Sequence, residues 1–80
     1  MALFFFDTRD NDQFVHDDVG VECLDLEAVK IEAARGLAEI AKDALPGSNR
    51  RELAIEVRDD QGPALVARMT FEAVILRTGG

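Results

Sequence analysis

Leu24 to Leu45, LDLEAVKIEAARGLAEIAKDAL, is the stretch whose reading decides the fold. Its apolar residues recur at helical spacing, and both of its ends carry stop signals. Asp25 is placed to cap the first turn through its side chain, and Glu27 lies where the helix dipole favours an anion. Leu24 and Val29 stand at the spacing of a hydrophobic staple. At the other end Pro46 disfavours a helical Leu45, and Pro46-Gly47-Ser48-Asn49 is loop chemistry. A helix over 25–45 is therefore predicted, about 30 Å long at 1.5 Å per residue.

Placed at 100° per residue, the helix presents two apolar stripes. Leu26, Val29, Ala33, Leu37, Ile40 and Ala44 form the first, which is expected to lie on a sheet. Ile31, Ala34, Ala38 and Leu45 form the second. Together they span about 200°, when a helix on one sheet needs little more than about 100°. The second stripe is either tolerated because its alanines are small, or covered by flanking segments, or a contact surface for another chain. Gly36 costs a helix about 1 kcal/mol against Ala. Its place at the border of the core face predicts a close approach of the sheet.

On the N-terminal side, Leu3 to Phe6 is a short apolar strand, Asp7 to Asp12 supplies turn formers, and Gln13 to His16 returns as a second strand. Asp17-Asp18-Val19-Gly20 is a further turn, with Gly20 free to take positive φ, and Val21 to Leu24 leads into the helix. On the C-terminal side, Arg51 to Asp59 alternates, with Leu53, Ile55 and Val57 facing one way and Glu52, Ala54, Glu56 and Arg58 the other. Asp59-Asp60-Gln61-Gly62 is a hairpin turn, and Leu65 to Phe71 returns with Leu65, Ala67, Met69 and Phe71 on one face. Glu72 to Leu76 either prolongs this strand or pairs with another chain, and 77–80 is expected to fray. The fold class is α+β: a ββαββ chain forming a four-stranded antiparallel sheet with one long helix on one face, in a single domain over 1–80. The first strand belongs inside the sheet, because Phe4, Phe5 and Phe6 would make an apolar edge.

Eighty residues lie near the lower limit for a self-sufficient core, so the core must be dense or shared. A single cysteine allows no internal disulfide and, with one histidine, no structural zinc cluster, which suits a reducing, cytoplasmic setting. MALFFF lacks the basic region of a signal peptide, and no apolar run reaches the roughly 20 residues that span a bilayer, so no membrane contact is expected. The formal charge of -7 argues against nucleic acid. Residues 1–25 hold seven acids (Asp7, Asp10, Asp12, Asp17, Asp18, Glu22, Asp25) against Arg9 alone, so the acidity is concentrated there.

No constellation reads as catalytic. His16 has no nucleophile at a recognisable spacing, and Cys23 reads as a small apolar filler even though a helix start can lower a thiol pKa. Asp7, Asp10, Asp12, Asp17 and Asp18 offer oxygens to a divalent cation, but D-T-R-D-N-D-Q-F lacks the spacing and central glycine of a calcium loop; solvated turn acids are the plainer reading. Arg50, Arg51, Arg58, Arg68 and Arg77 are interleaved with Glu52, Glu56, Asp59 and Asp60, which describes cross-strand pairing rather than a basic patch.

The opening Phe4-Phe5-Phe6-Asp7, the stretches Asp18-Val19-Gly20-Val21-Glu22 and Asp25-Leu26-Glu27-Ala28, the helix end Ala41 to Pro46, and Ile55 to Asp59 with Gly62 resemble a family of short bacterial proteins known only as a domain of unknown function. That resemblance implies the ββαββ order and no activity. Over about residues 4–45 the architecture is also similar to HicB-type antitoxins, without their proline-glycine turn and without room for a DNA-binding domain. This second likeness implies an acidic module that masks a basic partner. The function expected is therefore a non-enzymatic, cytoplasmic protein-interaction module without cofactor, forming a homodimer through Ile31, Ala34, Ala38 and Leu45 or through a sheet edge. The alternatives are an antitoxin-like inhibitor of a basic RNA-cleaving partner and a cation or small-ligand site at Asp7 to Asp18.

Overall fold

The computed structural model describes residues 1–77; of the segment expected to fray, 78–80 lie outside the described residues. The chain folds as β1 (Ala2–Asp10), β2 (Gln13–Val15), β3 (Val21–Cys23), α1 (Leu26–Ala44), β4 (Arg50–Asp59) and β5 (Gly62–Glu72). All pairings are antiparallel, in the order β2-β1-β4-β5, with β3 joined to β1 on the same side as β2. The α+β class, the single helix on a sheet and the interior position of β1 agree with expectation. The strand count does not, because a fifth strand, β3, forms where only a lead into the helix was expected.

That difference follows from the length of β1. The polar residues Asp7 to Asp10 continue the strand instead of turning, since Asp7 pairs with Glu56, Thr8 with Ile55, Arg9 with Ala54 and Asp10 with Leu53. Only Asn11 and Asp12 make the turn, with Asn11 at φ 53, a conformation that Asn tolerates better than most residues. Asn11 also stays attached to β4: its N–H donates to the Glu52 carbonyl at 2.8 Å, and its side-chain oxygen accepts from the Glu52 N–H at 2.8 Å. Because β2 covers only Thr8 to Asp10, the edge along Ala2 to Phe4 is left open, and Val21 to Cys23 fills it. Gly20, at φ +81, makes the return possible; a Cβ there would lie 3.0–3.1 Å from Leu3, the Phe4 carbonyl and Phe5.

The helix forms as its ends predict. The Asp25 carboxylate accepts from the Ala28 N–H at 2.9 Å, and the Leu45 N–H closes the last turn on the Ala41 carbonyl at 3.0 Å. Val29 and Ala33 are fully buried and meet Phe4, Cys23, Ile55 and Val57 in the core, flanked by partly buried Leu37 and Ile40. Each fully buried side chain of the size of Val29, Leu53 or Val57 contributes about 1.5–3 kcal/mol. The close approach expected at Gly36 is present: a Cβ on it would stand 2.8 Å from Ile55 Cδ1. The staple is not formed, since Leu24 is 74% exposed. Alternation along β3 turns Cys23 inward and Leu24 out.

On the second hairpin Asp59 pairs with Gly62, whose φ of +110 matches the expected turn. The register shifts between Val57 and Arg58, so Pro63 sits at an irregularity on an edge strand, where its missing N–H does no harm. β5 ends at Glu72, and only the Ala73 N–H still reaches back, to the Asn49 carbonyl at 2.8 Å. The whole measures 55 × 21 × 16 Å with a radius of gyration of 15.1 Å, against about 12 Å for a compact chain of this size.

Candidate functional site

The densest polar cluster lies on the sheet face away from the helix. Alternation sends Phe4 and Phe6 of β1 toward α1, so Phe5, Asp7 and Arg9 face the other way, opposite Arg58, Glu56 and Ala54 of β4. Asp7 is the one buried charged residue among those described, 5% exposed. Its Oδ2 accepts from Arg58 Nε at 2.9 Å, and its Oδ1 accepts from the Asp17 N–H at 2.9 Å. Arg58 also donates through Nη2 to the Asp17 carbonyl at 2.9 Å, and its guanidinium lies 4.6 Å over the Phe5 ring. The Asp17 carboxylate in turn accepts from the Phe6 N–H at 2.9 Å, the Val19 N–H at 3.0 Å and the Gly20 N–H at 3.2 Å.

These contacts fasten the loop between β2 and β3 onto the β1–β4 pair. Burial pushes the Asp7 carboxyl up, but Arg58 and the Asp17 amide outweigh it and hold the group below its ordinary value. The Phe6 amide, with those of Val19 and Gly20, holds Asp17 low as well against the opposing effect of burial. His16 sits at the rim, with Nε2 2.9 Å from Arg58 Nη2 and its side chain 57% exposed. Arg58 can donate to that nitrogen only when it carries no proton.

Two further ion pairs run across the sheet. Asp10 receives a forked contact from Arg51, at 2.7 Å from Nε and 3.0 Å from Nη2, which lowers the pKa of Asp10 and raises that of Arg51. Arg9 bonds Glu56 at 2.8 Å and stacks 4.7 Å over Phe14. Asp7, Asp10 and Asp17, three members of the acidic set considered for a cation, are therefore already engaged by arginine and amide donors. Among the described residues no three acid, His or Cys side chains converge as a metal site would require. The buried Cys23 thiol is pushed up by burial, with Glu32 and Asp25 adding to the effect, the opposite of activation.

The helix residues picked out for contact are only partly together. Ile31, Ala34 and Ala38 are exposed, whereas Leu45 is half-buried at the cap. Ile31 joins Val21, Leu24 and Ala28 in a groove of about 340 Å³ between β3 and α1, rimmed by Glu32 and Arg35. Arg58 is the residue that sequence reasoning underrated. Asp7 and Arg58 are 51 positions apart, and only the strand register brings them together.

The sequence profile of the domain of unknown function DUF6894 matches residues 3–72. The chain belongs to the DUF6894 family. No curated protein and no solved structure matches it. The DUF6894 match takes in the Asp7–Arg58–Asp17 cluster, the helix and all of β5, and ends where β5 ends. Val74, Ile75 and Leu76 lie beyond it.

Proposed function

We propose that the protein is a non-enzymatic, cytoplasmic protein-contact module that associates with a second copy of itself. One observation carries this reading: the charged groups shared by β1 and β4 (Asp7 with Arg58, Arg9 with Glu56, Asp10 with Arg51) are satisfied within the chain, while large apolar side chains are left uncovered. Val74, Ile75 and Leu76 are 66%, 82% and 94% exposed, and Leu24 and Ile31 stand out at the groove beside β3. Contiguous exposed apolar surface on a small domain marks a place for a partner. Absence of a transmembrane helix among the described residues fits a module working in solution. Sedimentation of the wild type and of Ile31→Glu, from micromolar to near-millimolar protein, tests it. A concentration-dependent dimer is expected; a monomer throughout removes the reading.

A second reading, masking of a basic RNA-cleaving partner, draws on Asp12, Asp18, Glu22 and Asp25, which remain exposed. Its test is whether a small basic protein encoded beside this one binds it and loses RNA cleavage on binding. Failure to bind ends this second reading.

A further inference from the structure

The edge of the sheet formed by β5 is bare along its length, and Val74, Ile75 and Leu76 beyond it are apolar and exposed. The inward hydrogen bond from the Ala73 N–H to the Asn49 carbonyl fixes which backbone groups face out. In an antiparallel ladder alternate residues point their N–H and C=O to opposite sides. Val66, Arg68, Thr70 and Glu72 therefore present theirs to the free edge. All four are exposed.

We propose that β5 pairs antiparallel with β5 of a second copy, about a two-fold axis at Thr70, the residues after β5 extending the ladder. This rests on the self-association reading and adds the surface and the register. Charge chooses the register. With Thr70 opposite Thr70, Arg68 faces Glu72 of the second copy and Glu72 faces its Arg68, giving two cross-strand ion pairs. Among the described residues Arg68 makes no ion pair, and Glu72 makes only a loose one to Arg50 at 3.8 Å. Sliding the strand by two residues in one direction sets Glu72 against Val66; in the other it sets Arg68 against Val74. Sliding by four opposes like charges, Arg68 to Arg68 or Glu72 to Glu72.

The same register accounts for the apolar segment after β5. It places Val74 against Val66 on the open face and Ile75 against Leu65 on the helix face. Leu65 is already packed against the core cluster, so Ile75 of the second copy extends that core across the junction. Met69, 37% exposed, meets half-buried Phe71. Within one chain the segment has no strand beside it, because β4 begins only at Arg50, opposite Glu72.

Arg68→Glu and Glu72→Arg each oppose two like-charged pairs, and each is expected to weaken the dimer at least about tenfold in sedimentation. Equimolar mixing of the two variants restores both ion pairs in a heterodimer, and the double swap restores the homodimer. Thr70→Cys is expected to form an intermolecular disulfide under mild oxidation, because directly paired Cα atoms lie about 5.5 Å apart. Arg68→Cys is expected not to, since the two sites fall about 13 Å apart along the strands. Native Cys23, 4% exposed, does not compete. A mixture that stays monomeric, or a Thr70→Cys protein that does not cross-link, overturns the register. If Arg68→Glu leaves the dimer intact and Ile31→Glu dissociates it, self-association stands and the β5 surface is wrong. A wild type monomeric at every concentration overturns both.

Discussion

The two long edges of the sheet are finished in opposite ways. Along β1 the outer edge is closed: β3 covers Ala2 to Phe4, β2 covers Thr8 to Asp10, and the Asp17 carboxylate takes the Phe6 N–H in the gap between them. Along β5 the outer edge is open, and apolar side chains continue past its end. Unpaired strand edges invite pairing with another chain, and small proteins usually blunt them. Here one edge is blunted by local sequence, with five acids between Asp7 and Asp18 available to fold a loop back. The other carries opposite charges four residues apart, Arg68 and Glu72, which the proposed two-fold pairing would set against each other.

Breaking the closed edge has the largest expected effect. Asp7→Ala leaves the Arg58 guanidinium and the Asp17 N–H without their acceptor, and costs about 3 kcal/mol, read as a lower denaturant midpoint at unchanged slope. Next is Gly20→Ala, which forces a side chain into positive φ and against the Phe4 carbonyl, at roughly 2 kcal/mol. Acid probes the same edge without mutation. Asp7, Asp10 and Asp17 titrate below their ordinary value of 3.8 in the folded state, so the stability they contribute is present above that pH and is lost as pH falls through their folded values. Thermal melts are expected to hold their midpoint down to about pH 4 and fall steeply below it, with a flatter profile for Asp7→Asn. The smallest effect sharpens the contrast from the other side. Arg68→Glu is expected to change the stability of the monomer by no more than about 0.5 kcal/mol, measured at concentrations too low for association. A large loss there would show that the open edge serves the fold rather than contact.

How far the sequence foretold these edges depends on how local each signal was. The helix was legible because its cap, its apolar period and its proline stop all lie within one stretch, and Gly20 and Gly62 were legible because turns demand them. Asp7 to Asp10 misled, since four polar residues after a phenylalanine run read as a turn; pairing with β4 overrides weak strand propensity there. β3, three residues long, carried too little pattern to register, and its existence depends on how short β2 is. The Leu24 staple failed for the same reason, because membership of β3 fixes which neighbour turns inward. The Asp7–Arg58 pair had no local signal at all, and of the second helix stripe Ile31, Ala34 and Ala38 are exposed while Leu45, at the helix cap, is half-buried.

The bond from the Phe6 N–H to the Asp17 side chain has a kinetic meaning. An amide held by a strand partner exchanges its hydrogen with solvent only when the ladder opens, whereas this one is freed as soon as the 16–20 loop swings away. Phe6 should therefore exchange faster than Thr8, its neighbour on the same outer edge, and should report loop opening independently of global unfolding.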